Sequence, residues 1–252
     1  DAGGNSGIFQ INDGKNNVIS VGIQDVTLIN GAAAMGGAIN NAENLLLNNV
    51  NIHNNTATVA GGAIYNNGGN IFINYSAIAN NSSNGNGGAI NSLKGNVEIY
   101  YSSLTQNQSR GNGGAISVEN GALRVNASTL SHNIAQGNGG AIAVVNGSLL
   151  SESNTLAYNS ASSGGAIYAN GGSLNVYANT IAFNLVNEYG SGRGLYIGDG
   201  TSYRVGRTLA VFNHAGDLYG EDIYVTMRAS GTIEDSIYMY AGDATPTEEG
   251  FE

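Results

Sequence analysis

The tetrapeptide Gly-Gly-Ala-Ile occurs six times, beginning at Gly36, Gly61, Gly87, Gly113, Gly139 and Gly164, at intervals of 25 or 26 residues. A degenerate seventh copy reads GRGLY from Gly192. A period of this length requires supersecondary units stacked on one another, each touching only its neighbours. A second marker keeps the same phase. It is an aliphatic-x-x-Asn element at Ile52–Asn55, Ile78–Asn81, Leu104–Asn107, Leu130–Asn133, Leu156–Asn159 and Ile181–Asn184. Between the markers lie alternating segments, such as Leu123, Val125 and Ala127 in ALRVNAS, or Ile71, Ile73 and Tyr75 in NIFINYS. Their period of two is that of a strand, and no helical face emerges in the coils.

Overlaying the coils gives two aliphatic columns. One holds Ile39, Ile64, Ile90, Ile116, Ile142, Ile167 and Leu195; the other holds Ile52, Ile78, Leu104, Leu130, Leu156, Ile181 and Leu209. Adjacent turns of a solenoid lie ~4.8 Å apart, so residues of one column sit nearly in contact and form the core. Asn55, Asn81, Asn107, Asn133, Asn159 and Asn184 fall in register as well, which predicts a structural amide ladder at a turn. The glycine pair reads as a corner, where the backbone needs positive φ or a Cβ would strike the next coil. The longer GNGGAI, at 85–90, 111–116 and 137–142, turns one strand into the next. A leucine-rich repeat would need an L-x-x-L-x-L run, and a phosphate loop would need GK[ST] opening a helix; neither is present.

Composition agrees with a packed fold: 41% of residues are hydrophobic and 10% charged, so 39 glycines and one proline do not signal collagen or disorder. The net charge of −10, without a dense basic run, argues against nucleic acid as a partner. Absence of cysteine excludes disulfides, thiolate metal sites and cysteine nucleophiles. No apolar run of about 18 residues marks a transmembrane segment. The chain opens at Asp1 with no start methionine or signal-type segment, as expected of a processed product or excised fragment.

The pairing of GGAI with the x-x-N element, as in GGAISVENGALRVNASTLSHN from Gly113 to Asn133, resembles the repeats of chlamydial polymorphic outer membrane proteins and related bacterial surface proteins. The resemblance runs from Val18 to Asn213. It implies a right-handed parallel β-helix of the pectate-lyase-like superfold, and a secreted or cell-surface chain with adhesive or scaffold roles. Here Leu or Ile replaces that family's phenylalanine, and no membrane-anchoring barrel follows, so autotransport is not supported. The fold expected is therefore all-β, a right-handed parallel β-helix of about eight coils. Residues 1–35 form an N-terminal covering coil, 36–213 the regular coils, and 214–252 a C-terminal cap with an acidic tail, within one domain.

Sites are sparse. His53, His132 and His214 fall in separate coils, so no triad or zinc cluster is suggested, and no cofactor, metal or catalytic residue is assigned. Arg193, Asp199, Arg204 and Asp217 form the one neighbourhood where both charge signs converge. Tyr65, Tyr168 and Tyr196 follow the first aliphatic column and should point outward. With Arg193 they are the candidate ligand-binding residues, since exposed rings bind sugars or pack on each other. No Thr-x-Thr rank of the kind that orders ice repeats across the coils. The reading is a non-catalytic extracellular surface or matrix protein, structural, adhesive or fibre-forming, whose partners are further copies head to tail or a host or matrix glycan or protein. The alternatives are a polysaccharide lyase or hydrolase and a non-catalytic glycan-binding module.

Overall fold

The computed structural model describes residues 1–14, 18–215, 218–219, 222–238 and 247–248. They build a parallel β-solenoid of about eight turns, and no helix occurs among them. The coil beginning at Ile90 shows the plan. Ile90–Leu93 and Asn96–Tyr100 lie in a 17-stranded sheet, Ser103–Thr105 in a 9-stranded sheet and Gln108–Ser109 in a second 9-stranded sheet. GNGG then brings the chain round to Ile116, directly over Ile90. In Ile142–Glu152 and Ile167–Tyr177 the two segments of the large sheet run on as a single strand.

The first aliphatic column stacks in register from Ile39 to Leu195 and continues to Ile223, every member fully buried. Burial of each such side chain contributes about 1.5–3 kcal/mol, and every coil supplies several. The second column runs from Leu28 through Ile52 to Ile181, but its next member is Ala210 and not Leu209. Leu209 pairs with Thr180 and is 38% exposed. The coil there is longer, and the phase is carried by the asparagine: Ala210 stands three residues before Asn213, as Ile181 does before Asn184.

Two ranks of left-handed residues form corners on either side of the first 9-stranded sheet. One comprises Asn54, Asn80, Gln106, His132, Tyr158, Phe183 and Phe212, with φ of 54–58°. The other comprises Asn49, Tyr75, Tyr101, Ala127, Ser153, Ala178, Arg207 and Asp235, with φ of 44–57°. The alternation expected through Tyr75 and Ala127 ends for this reason: Ile71, Ile73, Leu123 and Val125 are buried, whereas the corner swings Tyr75 outward to 59% exposure. Non-glycine residues in this region are disfavoured, so a rank of them requires over-determining surroundings.

Neither member of the glycine pair has room for a Cβ, and the first also needs positive φ: a Cβ on Gly113 would overlap the carbonyl oxygen of Ile116 in its own coil. Gly113 has φ +69°, and a Cβ on Gly114 would overlap the carbonyl oxygen of Gly140 in the next coil. These conditions recur at the other copies.

Residues before Gly36 add one further coil. Phe9–Ile11, Ser20–Gln24, Thr27–Ile29 and Ala32–Met35 pair with Ile39–Asn41, Asn44–Asn48, Asn51–His53 and Thr56–Ala60. The buried Glu43 ties down the connecting loop by accepting the backbone N–H of Asp13 and of Ile19. At the other end His214–Ala215 meets Leu218–Tyr219 antiparallel. The acidic tail from Asp243 lies outside the described residues except for Thr247–Glu248, which pairs with Ser230–Glu234.

Candidate functional site

Most of the polar side chains buried in the coils belong to corners. Each ladder asparagine donates its backbone N–H and its Nδ2–H to the Oδ1 of the next, as Asn81 does to Asn107 at 3.1 and 3.0 Å. The Nδ2 also reaches back to a carbonyl one coil earlier, from Asn81 to Ile52 at 3.0 Å. The ladder passes through Asn55, Asn81, Asn107, Asn133, Asn159, Asn184 and Asn213 and ends on the carboxylate of Asp222, whose Oδ1 accepts both bonds from Asn213. Its amides point one way, and an anion at the donor end suits their summed dipole.

A second ladder, at the other corner, is absent from the sequence reading. Ser76, Ser102, Ser128, Asn154, Asn179, Thr208 and Ser236 each accept the backbone N–H of the residue one coil before. Its signal was available, since Ser76, Ser102, Ser128, Asn154, Asn179 and Thr208 each stand five positions before a ladder asparagine, but their identity changes along the column.

Tyr65, Tyr168 and Tyr196 do share a column. Asn91, Ser117 and Ala143 separate Tyr65 from the others, while Tyr224 extends the far end. Tyr168 stacks on Tyr196 at 4.8 Å and Tyr196 on Tyr224 at 5.4 Å, so these ring faces are turned on one another. Burial first, then the neighbouring Tyr196, raises the pKa of Tyr168 above the usual phenol range. A second stack runs along the asparagine corner, His132–Tyr158–Phe183–Phe212, and a third pairs Tyr75 with Tyr101.

Arg193 occupies the position of the second glycine. Its Nε and Nη1 are buried and find no hydrogen-bond partner among the described residues. The sequence grouped it with Asp199, Arg204 and Asp217. Asp199 instead faces Arg228 at 3.9 Å, and Arg204 binds Glu234 at 2.9 Å. Asp217 and Glu221 lie outside the described residues. Among the described residues no group of three His, Cys, Asp or Glu is placed to hold a metal ion, and no helix is long and apolar enough to cross a membrane.

A concavity lies elsewhere, on the outer face of the large sheet. Two depressions of about 500 and 350 Å³ meet at Asn96 and Glu98 and form one groove along the solenoid axis, from the coil of Ser20 to that of Ser173. One column of its lining carries Asn44, Asn70 and Asn96; the next carries Leu46 and Phe72. Glu98 and Arg124 are the charged lining residues, and both are engaged. Glu98 accepts the hydroxyl of Tyr100 at 2.7 Å, and Arg124 lies over the Tyr100 ring, 3.8 Å from Glu152. Burial, then the bond to Glu98 and its charge, raises the pKa of Tyr100.

A family model described as the Chlamydia polymorphic membrane protein (Chlamydia_PMP) repeat matches residues 49–67. That segment spans the asparagine corner at Asn55 and the glycine corner at Gly61–Gly62, so the similarity covers one coil's defining elements. No curated protein and no solved structure matches the chain.

Proposed function

We propose that this chain is part of a surface-exposed bacterial protein, extracellular or on the cell surface, with a structural or adhesive and non-catalytic role. The observation that carries the reading is the use made of polar chemistry inside the coils. Buried asparagines and serines bond coil to coil, so the polar groups go into extending a rigid rod whose sides remain free for display. The similarity of residues 49–67 to a repeat named for a membrane protein of Chlamydia supports the location. In the producing bacterium, antibody against the chain should label intact cells, and protease shaving should remove the label. Labelling that appears only after lysis would sink the surface reading.

End-to-end association belongs to the same reading. The Ala2 N–H covers the outer side of Thr27–Ile29, but among the described residues Ser20–Gln24 pairs with a strand on one side only, and Ile8, Val21 and Ile23 are only partly buried against the core. Such an edge is a template for another chain. Light scattering should report mass rising with protein concentration, and a strict monomer throughout would remove this element.

A further inference from the structure

We infer that the groove on the large sheet is a binding site for an uncharged polysaccharide chain lying parallel to the solenoid axis. Its repeat is the first reason. Asn44, Asn70 and Asn96 place side-chain amides once per coil, ~4.8 Å apart; the Asn44 Oδ1 accepts the Asn70 backbone N–H at 3.4 Å, while the Asn70 and Asn96 amides are exposed with no hydrogen bond from any described group. An amide offers one donor and one acceptor edge, which matches neighbouring hydroxyls on a sugar ring. Beside this rank Leu46 and Phe72, 46% and 37% exposed, supply apolar surface for the C–H face of a sugar. A polymer with a regular polar edge and an apolar face fits two such columns running side by side.

Charge and backbone chemistry exclude the competing occupants. Glu98 and Arg124 are of opposite sign, and the one cation is already paired with Glu152, so the groove offers no net positive charge to a uronate or sulfated chain. An extended peptide would seek free backbone N–H and C=O groups at a sheet edge. The floor strands Asn44–Asn48, Ile71–Asn74 and Asn96–Tyr100 are each paired on both sides, and the open edge at Ser20–Gln24 runs across the axis at one end of the groove, so a peptide lying along the groove meets no free backbone groups. Recognition here must come from side chains, as it does for sugars. Phe72 packs on Tyr100 at 5.2 Å with the rings tilted by 32°, whereas Tyr168 and Tyr196 lie nearly parallel at 4.8 Å and cover more of each other's faces, so they are the weaker platform. The inference rests on the surface reading only for where the glycan would be met, and the two fail separately: cell labelling tests location, and binding in solution tests the groove.

The test is calorimetric titration of the whole chain with cellohexaose, maltohexaose, mannohexaose and chitohexaose, with hexagalacturonate for comparison. At least one neutral hexasaccharide should bind, and Phe72→Ala and the double variant Asn70→Ala/Asn96→Ala should each weaken it about tenfold or more. All these side chains are accessible, and circular dichroism with a thermal midpoint verifies that the variants fold. The proposal is overturned if no neutral hexasaccharide binds, if hexagalacturonate binds as well as they do, or if the variants bind like the parent. It is equally overturned if Tyr168→Ala abolishes binding that Phe72→Ala leaves intact.

Discussion

The two corners that flank the first 9-stranded sheet solve one problem with different amounts of chemistry. At each, the chain changes direction through a left-handed residue, and the next backbone N–H points along the axis where no strand carbonyl meets it. At the asparagine corner the acceptor is an amide that also donates, so each rung ties two backbones and two side chains together. At the serine corner a hydroxyl accepts the N–H and donates to the carbonyl two residues back, as Ser102 does to Tyr100 at 2.7 Å. The asparagine ladder is therefore bonded side chain to side chain from end to end. The serine ladder, over its serine rungs, is a row of independent backbone repairs.

That difference sets the order of mutational cost. Asn107→Ala leaves both donors of Asn81 without an acceptor and removes the donor to Ile78 O, in a fully buried site. Unmet buried groups cost ~1–3 kcal/mol each, so the loss is expected to be about 4 kcal/mol. It should appear as a lower urea midpoint and as faster hydrogen exchange at the Asn81 amide, with effects fading within a coil or two on either side. A loss no greater than that at the serine corner would erase the distinction between them.

Ser102→Ala removes a single acceptor, that of the Ser76 N–H at 3.1 Å. The expected loss is about 2 kcal/mol, and Ser102→Thr should restore most of it, because Thr208 fills the same column in a later coil. Exchange at the Ser76 amide checks both variants. If threonine fails where alanine fails equally, accepting that N–H is not what the column supplies.

The two corners also differ in how visible they are before any coordinates. The asparagine column was legible because one residue type recurs every 25 to 29 positions, and its chemistry tolerates no substitute that both donates and accepts at that reach. The serine column was not, because serine, asparagine and threonine all present an oxygen to one N–H, so function is kept while identity drifts. Leu209 was misplaced for a related reason: where the coil lengthens, an aliphatic residue can be matched to its neighbour, but only the asparagine keeps the register. The tyrosine column was legible as a position, and mutual packing was one of its two readings; Tyr168 and Tyr196 do stack, while Asn91, Ser117 and Ala143 isolate Tyr65. The amide rank of the groove does recur every 26 residues, at Asn44, Asn70 and Asn96, but the column beside it keeps no residue type. Leu46, Phe72, Glu98 and Arg124 share a column with four different side chains, and only the pairing of strands brings them together.

The ladders end differently too, and the smallest expected effect tests that contrast. The asparagine ladder stops on the buried Asp222. The serine ladder stops at Ser236, whose hydroxyl donates to the carbonyl of Glu234, and Glu234 is held from outside by Arg204 at 2.9 Å and by the Thr232 hydroxyl at 3.0 Å. The hydrogen bond from Arg204, then that from Thr232, lowers the Glu234 pKa below the usual carboxylate range. A depressed pKa favours the folded state when the group is ionised. The stabilisation is thus complete above the unfolded carboxylate pKa and disappears as pH falls through the lower, folded one. Because the Arg204 side chain is 61% exposed, solvent and salt screen the pair and the effect on global stability is small. A titration followed by NMR should find the Glu234 midpoint below that of a free glutamate, and Arg204→Gln should raise it. The protection of the Thr208 amide, which Ser236 accepts at 3.2 Å, measured against the intrinsic exchange rate at each pH, should fall over the same acidic range in the parent and show less pH dependence in the variant. An unshifted midpoint in the parent would mean that the last serine rung is held by its own backbone bonds, without help from the surface.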